Sequence, residues 1–295
     1  MSQELLLSRD AFLLAQELRL FWIVGILYGL SFLIGFFYLL TGKEMLGRWV
    51  TGGLWATVAV HTLLIIFRTV EGGRPPFQSL YETLSWFAWS ATAAYLFVHA
   101  RWKTGIHFPG FIVAGISAGA CFYSLLTRSP EIMPIPPALQ SPWYEWHVVI
   151  AFAAYAVFVV SFAVEITHLV FERRFPISSG GRGRAFGFPA EGFYRYAHRL
   201  NLIGFPMLAF AIFSGAAWAN DAWGRYWSWD PKETWSLITW TVYAIYLHSK
   251  AVPTWREKAS PALNILGFIC MVMTFLGVSW LAKLLGIPSM HAYAV

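Results

Sequence analysis

Long apolar runs alternate with short polar segments along the whole chain. An α-helix needs ~20 predominantly apolar residues to cross ~30 Å of hydrocarbon, and each run is long enough to do so. An even number of such runs places both termini on the same side of a membrane. The pattern predicts an all-α fold, a polytopic transmembrane helix bundle. The eight predicted spans are residues 20–41, 49–67, 79–99, 106–127, 146–171, 199–219, 233–251 and 259–284.

The composition supports a membrane protein. Hydrophobic residues make up 58% of the chain and charged residues only 12%, whereas a soluble domain carries about a quarter charged residues. Residues 1–19 include Glu4 and Arg9, which do not fit the short basic region of a cleavable signal peptide. The segment 172–198 has the composition of a flexible basic connector, and no repeat is evident. We therefore predict one membrane domain over residues 1–295.

Basic residues lie mainly in the loops that follow spans 1, 3, 5 and 7. Cytoplasmic loops of membrane proteins are enriched in Lys and Arg, so both termini are predicted to be extracytoplasmic. This topology also explains the net charge of +6, so membrane lipid is the expected contact and nucleic acid is not an expected partner. The basic residues of these loops are Lys43, Arg48, Arg101, Lys103, Arg173, Arg174, Arg182, Arg184, Arg195, Arg199, Lys250, Arg256 and Lys258.

The two cysteines, Cys121 and Cys270, both lie inside apolar spans. No CxxC or other paired spacing occurs in the sequence. The chain therefore offers neither a disulfide framework nor a zinc or thiol-redox motif, and we interpret both cysteines as small buried hydrophobic residues.

The connection between spans 6 and 7, on the predicted outer side, is rich in tryptophan. Its sequence WGRYWSWDPKETWSLITW covers residues 223–240. Within it Asp230 is a good N-cap, Pro231 fits the first helical position and Glu233 completes a capping box, so span 7 is predicted to begin there. The six tryptophans of the region are Trp218, Trp223, Trp227, Trp229, Trp235 and Trp240.

Two interpretations of this segment stay open from the residues alone. Tryptophan favours membrane interfaces, so the segment can belong to an aromatic belt. Alternatively the indoles form a platform, because a flat apolar wall beside charges such as Arg225 and Lys232 suits a large planar ligand with polar edges.

Histidines at the same predicted depth add a candidate chemistry. His147 lies in SPWYEWHVVIAFAAY and His291 in LLGIPSMHAYAV, both at outer span ends. Neutral imidazole is a good iron ligand, so two histidines beside an aromatic wall suit bis-histidine haem ligation. His248 lies ~22 Å deeper along span 7 than Glu233, and an intramembrane ionisable residue is a functional candidate. The alternative is that His248 reaches the inner interface beside Lys250.

The other histidines have simpler interpretations. His61 and His168 lie within spans 2 and 5, and each fits a metal ligand, a residue along a haem path, or a hydrogen-bonded residue of the bundle, which we favour. His99, His107 and His198 lie at cytoplasmic span ends and are interpreted as interfacial residues.

The tryptophan-rich segment 218–240 resembles the WWD signature of haem-handling membrane proteins of cytochrome c maturation. Four further segments resemble the CcsA (ResC) family of the System II cytochrome c synthase, and the resemblance covers about residues 20–293. These segments are GGRPPFQSLYETLSWFAW, ALQSPWYEWHVVIAFAAYA, YAIYLHSK and LGIPSMHAY.

The resemblance implies a component of a holocytochrome c synthase in the inner (cytoplasmic) membrane. With a CcsB (ResB) partner it would carry haem b outward and hold it on the periplasmic face for thioether attachment to the CxxCH motif of apocytochrome c. It implies that His147 and His291 are external axial iron ligands and that His248 is an intramembrane iron ligand. The haem-binding wall would contain Trp218, Trp223, Trp227, Trp229 and Trp235.

Charged residues of the segment are assigned hypothetical roles. Asp230 is the nearest candidate for a catalytic general base toward the cysteine thiols, and Arg225 or Lys232 can pair with haem propionates. Two alternatives keep the fold without lyase chemistry: a haem transporter or chaperone, and a regulatory or assembly protein. A solute transporter is a third, for which Gly204 and Pro206 in span 6 are the one hint.

Overall fold

A computed structural model describes most of the chain, and its residues are almost entirely helical, which confirms the all-α class. The chain forms two compact units, residues 1–134 and 135–295. That they act as a single membrane domain stays a prediction. The described residues are 3–102, 107–174, 184–185, 188–252, 255 and 259–286.

The first unit is built from long antiparallel helices. Helix α1 packs against α2 and α4, and α3 packs against α4. Glycines end the first two helices: Gly42 and Gly73 have φ angles of 67° and 63°, which glycine adopts without the Cβ clash of other residues. The helices are α1 Gln3–Thr41, α2 Glu44–Gly72, α3 Leu80–Trp102 and α4 Phe108–Thr127.

Close helix approach in this unit depends on small residues. A Cβ on Gly110 of α4 would lie 2.6 Å from the Tyr95 phenol of α3, so only glycine fits there. The outward faces carry large apolar side chains such as Leu63 and Phe97, which are 60% and 69% exposed. Faces of this kind are stable against lipid rather than water.

The second unit is centred on a long helix pair. Helix α5 packs along α6, and α7 packs on α8. Phe158 of α5 stacks on Tyr243 of α7 with ring centroids 3.8 Å apart, and Gly204 and Gly267 leave room for these two rings. The elements are a 3-10 turn Pro137–Leu139, α5 Pro142–Arg174, strands β1 Arg184–Ala185 and β2 Phe188–Pro189, α6 Ala190–Trp223, α7 Pro231–Ala251, α8 Ala259–Val272, a π-helical turn Met273–Gly277 and α9 Val278–Leu285. The strands form a short antiparallel pair.

A helix covers each predicted span, and the chain is a multi-pass membrane protein. Helices α3 and α7 are less apolar overall than the six clear spans because they are rich in Trp, Tyr, Ser and Thr. Eight crossings and extracytoplasmic termini therefore stay predictions. The six segments that are long and apolar enough to cross are Ala11–Thr41, Glu44–Gly72, Phe108–Thr127, Pro142–Val170, Arg195–Trp223 and Ala259–Gly277.

Candidate functional site

The start of α7 is a complete capping box, as the sequence predicts. The Asp230 carboxylate accepts a hydrogen bond of 2.9 Å from the backbone N–H of Lys232. The Glu233 carboxylate accepts bonds from the backbone N–H groups of Asp230, at 3.2 Å, and Ser228, at 2.8 Å. These bonds satisfy N–H groups that a helix start otherwise leaves without partners. The cap fixes the loop that carries the tryptophans.

Asp230 lies inside this cap rather than on an open surface. It is buried, with 6% of its surface exposed. Burial lowers the pKa of the neighbouring Lys232 amine, and the Asp230 carboxylate offsets part of that effect. The geometry gives Asp230 a structural role in the helix start, and its catalytic role stays a prediction.

His147 lies on α5 and is held against α6. Its Nδ1 is 2.8 Å from the carbonyl oxygen of Ala211. Because a carbonyl oxygen only accepts, Nδ1 carries the proton and the lone pair of the neutral ring lies on Nε2. The ring also lies directly over Gly215, where a Cβ would come within 2.7 Å of Nδ1. The helix pair therefore fixes both the tautomer and the position of this imidazole.

Trp218, near the end of α6, gives His147 an aromatic wall. The two rings are stacked, with centroids 5.9 Å apart and planes inclined by 21°. Tyr144 and Trp223 contact the same indole at centroid distances of 5.2 and 5.0 Å. The Trp218 Nε1–H donates to the carbonyl oxygen of Ala138 at 2.7 Å, which fixes the ring in its plane. His147, Trp218 and Trp223 thus form one cluster.

The other tryptophans of the segment have aromatic contacts or burial of their own. Trp227 and Trp229 meet edge to face at 5.8 Å. Trp229 is 69% exposed, and its φ angle of 60° is a left-handed conformation that costs a bulky residue ~1–3 kcal/mol. Trp235 is half-buried near the start of α7. Trp240 stacks on Phe205 at 5.0 Å.

His248 lies near the other end of α7 and is exposed. Its Nδ1 is 2.8 Å from the carbonyl oxygen of Ala244 one turn earlier, which again places the lone pair on Nε2. Along the helix it is ~27 Å from Asp230, so the structure separates it from the His147 cluster. His291 lies outside the described residues.

The remaining intramembrane histidines have polar neighbours. His61 is fully buried, and its two ring nitrogens hydrogen-bond Tyr28 and Ser85. His168 lies one turn from Glu165 on α5, with 3.8 Å between Nδ1 and Oε1. His61 is therefore hydrogen-bonded within the bundle, as we favoured.

One feature was not anticipated from the sequence, a buried ion cluster in the first unit. Arg68 of α2 donates to Glu17 of α1 at 2.8 Å and to Glu82 of α3 at 3.1 Å, and all three side chains are at most 4% exposed. Arg74 adds a second pair with Glu82 at 3.1 Å. The sequence did contain a signal for this cluster. Charged residues lie at the edges of the apolar spans, and a charged side chain in or near a membrane is costly unless it has a partner of opposite charge.

The second-unit cluster fits an iron porphyrin by its donor chemistry. His147 presents an Nε2 lone pair in a fixed tautomer, as a metal-ligating histidine does when a carbonyl holds its other nitrogen. Trp218 and Trp223 supply apolar aromatic rings beside it, with their planes inclined by 58°. His248 has the same backbone-held arrangement at a second position.

Comparisons with known proteins show the family of this chain. The family described as Cytochrome C assembly protein matches residues 77–285. The chain is 34% identical over 262 residues to cytochrome c biogenesis protein CcsA of Synechococcus sp. (strain CC9902), covering 80% of this chain and 84% of the relative. It is 30% identical over 314 residues to CcsA of Mesostigma viride, covering 98% of each.

A solved structure shares the fold. The structure described as Cytochrome c Heme Lyase CcmF aligns with 94% of this chain with a TM-score of 0.68 and 17% sequence identity. The chain spans half the length of that protein. At this identity the likeness concerns the fold alone.

Proposed function

The chain belongs to the CcsA family of cytochrome c assembly proteins, and from that premise we propose that it holds haem b at an outer site for attachment to apocytochrome c. One observation carries the proposal: the imidazole of His147, fixed by the Ala211 carbonyl, stacks on Trp218. This arrangement combines an iron-ligating atom with an aromatic neighbour that fixes the orientation of the imidazole.

In this proposal His147 and His291 bind the iron of the substrate haem b as the two axial ligands. Trp218 and Trp223 pack against the porphyrin, and Trp227, Trp229 and Trp235 complete the wall. Lys232 or Arg225 pairs with the propionates through charge-assisted bonds. Bound haem supplies the vinyl groups that react with the two cysteine thiols of the CxxCH motif.

The proposed topology follows the distribution of basic loops. Eight helices cross the inner (cytoplasmic) membrane, the termini are extracytoplasmic and the tryptophan-rich loop faces the periplasm. A CcsB (ResB) subunit is the proposed partner, and the two carry haem outward together. His248 is the inner ligand contributed by this chain, and its counterpart belongs to the partner.

Haem presentation without lyase chemistry is the second candidate. It is favoured by the position of Asp230, whose carboxylate is buried in the helix cap. If Asp230 is only a cap, this chain orients haem and controls its iron, and the thiols lose their protons to another group.

The test is the absorption spectrum of reduced haem in the purified chain, with and without a co-expressed partner. We expect His147→Ala and His291→Ala to lose outer-site haem and His248→Ala to lose the inner site, while His99→Ala serves as the matched histidine control. An apocytochrome c co-expression assay then separates presentation from attachment. An unchanged spectrum in the His147→Ala, His291→Ala double variant would overturn the ligand assignment.

A further inference from the structure

Polar side chains run through the core of the first unit, along one face of α3. Glu82, Ser85, Thr92 and Tyr95 are all at least nine-tenths buried and recur at intervals of three or seven residues. His99 continues the face, ~26 Å from Glu82 along the helix axis. Buried polar groups in a membrane helix are costly unless they have partners, and they mark ion or proton paths in many membrane proteins.

His61 of α2 contacts this face at Ser85. The Tyr28 hydroxyl is 3.1 Å from Nδ1, and the Ser85 hydroxyl is 2.8 Å from Nε2. A neutral imidazole donates through one nitrogen and accepts through the other, so each hydroxyl can exchange a proton with the ring. With both nitrogens engaged, the ring is arranged as a relay between two hydroxyls rather than as an iron ligand.

Toward the α2–α3 connection the chain of polar groups reaches the ion cluster. A small cavity of about 10 Å³ lies there, close to the volume that one water molecule needs, lined by Glu17, Arg68, Tyr81, Glu82 and Ser85 together with apolar side chains. A water molecule in a polar cavity needs two to four partners, which this lining offers. One water molecule held in this cavity would connect Ser85 with the carboxylates of Glu17 and Glu82.

Toward the α3–α4 connection a second series of hydroxyls continues. The Thr92 hydroxyl lies near that of Tyr28 and is 3.0 Å from that of Ser117. One turn further along α3, the Tyr95 hydroxyl is 3.4 Å from Thr51. Thr51 in turn is 2.7 Å from Nδ1 of His107. The ring of His107 lies 5.1 Å from that of His99.

We propose that the first unit conducts protons between its two ends through His61. A proton arriving from Ser85 or Tyr28 binds the accepting ring nitrogen, and the proton on the other nitrogen leaves to the opposite hydroxyl. One proton enters at one end for each that leaves at the other. After the hydroxyls and the imidazole reorient, every group of the path has the protonation with which it began. This activity is separate from the haem site, because it uses residues of the first unit alone.

The experiment uses the full chain reconstituted in phosphatidylethanolamine–phosphatidylglycerol vesicles that contain a pH-sensitive dye. Potassium and valinomycin impose a membrane potential and balance the charge. We expect the internal pH to change several-fold faster than in protein-free vesicles, and more slowly in D₂O. His61→Leu should reduce the rate to that of protein-free vesicles, and Tyr28→Phe and Ser85→Ala should each reduce it.

Thr57→Val is the matched control. Thr57 is fully buried on the same helix, one turn from His61, and its hydroxyl bonds the Gly53 carbonyl of its own helix. The proposal is wrong if the wild-type chain conducts no faster than lipid, if the His61, Tyr28 and Ser85 variants conduct normally, or if Thr57→Val loses conduction equally. Monodisperse elution from size exclusion qualifies each variant, and Tyr28→Phe and Ser85→Ala carry the test if His61→Leu does not fold.

Discussion

The imidazole of His147 lies nearly parallel to the indole of Trp218, with ring centroids 5.9 Å apart. The two residues belong to the antiparallel helices α5 and α6, and each is fixed by a backbone carbonyl, Ala211 for the histidine and Ala138 for the tryptophan. Carbonyls of the helix pair and its flanking turn, rather than neighbouring flexible side chains, therefore set the distance between the proposed iron ligand and the aromatic wall.

Removing the indole of Trp218 should weaken haem binding more than removing the indole of Trp240, which stacks elsewhere. We expect Trp218→Ala to lower the haem retained per chain by about tenfold or more, because the histidine loses its orienting neighbour. Trp240→Ala is the control, since it removes an indole that stacks on Phe205. Pyridine haemochrome assays measure the ratio of haem to protein in each variant. Equal losses in both variants would reduce Trp218 to a role in stability.

Filling the space beneath His147 should displace its ring. In Gly215→Ala the new Cβ would lie 2.7 Å from Nδ1, closer than side-chain carbons approach. We expect haem affinity to fall ~10–100-fold, as when a metal-bound histidine loses its orientation. Gly119→Ala on α4 is the control, because a Cβ there meets nothing within 4 Å. Haem titration followed by absorption gives both affinities, and equal values would contradict the packing argument.

Changes at Asp230 distinguish a helix cap from a general base. Asn caps helices about as well as Asp but cannot take a proton from a thiol. We expect Asp230→Asn to mature cytochrome c normally and Asp230→Ala to lower the free energy of unfolding by ~0.5–2 kcal/mol. Haem staining of co-expressed cytochrome c and thermal unfolding in detergent provide the readouts. Loss of maturation in Asp230→Asn, with its stability intact, would establish the base.

Haem retention should depend on the charge of Lys232 if that residue pairs with propionates. Burial lowers the pKa of its amine, with Asp230 offsetting part of the effect, so the charge is lost at a pH below the ordinary lysine value. We expect haem retention to fall as the pH rises through that lowered value. Arginine stays charged throughout, so Lys232→Arg should abolish this dependence. An identical pH profile in the two proteins would exclude the pairing.

Breaking the buried ion cluster should destabilise the first unit. Arg68→Ala leaves Glu17 and Glu82 buried without their shared cation, which costs ~3–5 kcal/mol in comparable buried pairs. Arg101→Ala removes an exposed charge from the end of α3 and should change stability by less than ~0.5 kcal/mol. Thermal unfolding in detergent compares the two. Similar midpoints would show that the cluster is dispensable.

Local signals in the sequence predicted local structure well. Asp230, Pro231 and Glu233 identified the start of α7 because a capping box lies within four consecutive residues. Hydropathy located the helices but not their ends: α1 begins at Gln3, well before the predicted span at residue 20, since a helix continues beyond the hydrocarbon it crosses. The membership in the CcsA family was also predicted from the motifs and is confirmed.

Contacts between distant residues could not be predicted in this way. Arg68 and Glu17 are 51 residues apart, and only the packing of α1 on α2 brings them together. His147 and Trp218 were both candidates, but their stacking depends on the register of α5 against α6. Sequence spacing also does not show that Trp240 stacks on Phe205 rather than joining the His147 cluster. Tertiary packing decides each of these.

The backbone conformation of Trp229 should make selection for stability and selection for function favour different residues at this position. Its left-handed conformation is one that glycine adopts without strain, yet the position carries a large indole exposed at the protein surface. Selecting variants for heat resistance alone should enrich Trp229→Gly, because the strain disappears with the side chain. Selecting for cytochrome c production should return tryptophan if the indole contacts haem. A deep mutational scan under both conditions would then show glycine preferred at position 229 under heat selection and tryptophan preferred under selection for cytochrome c production.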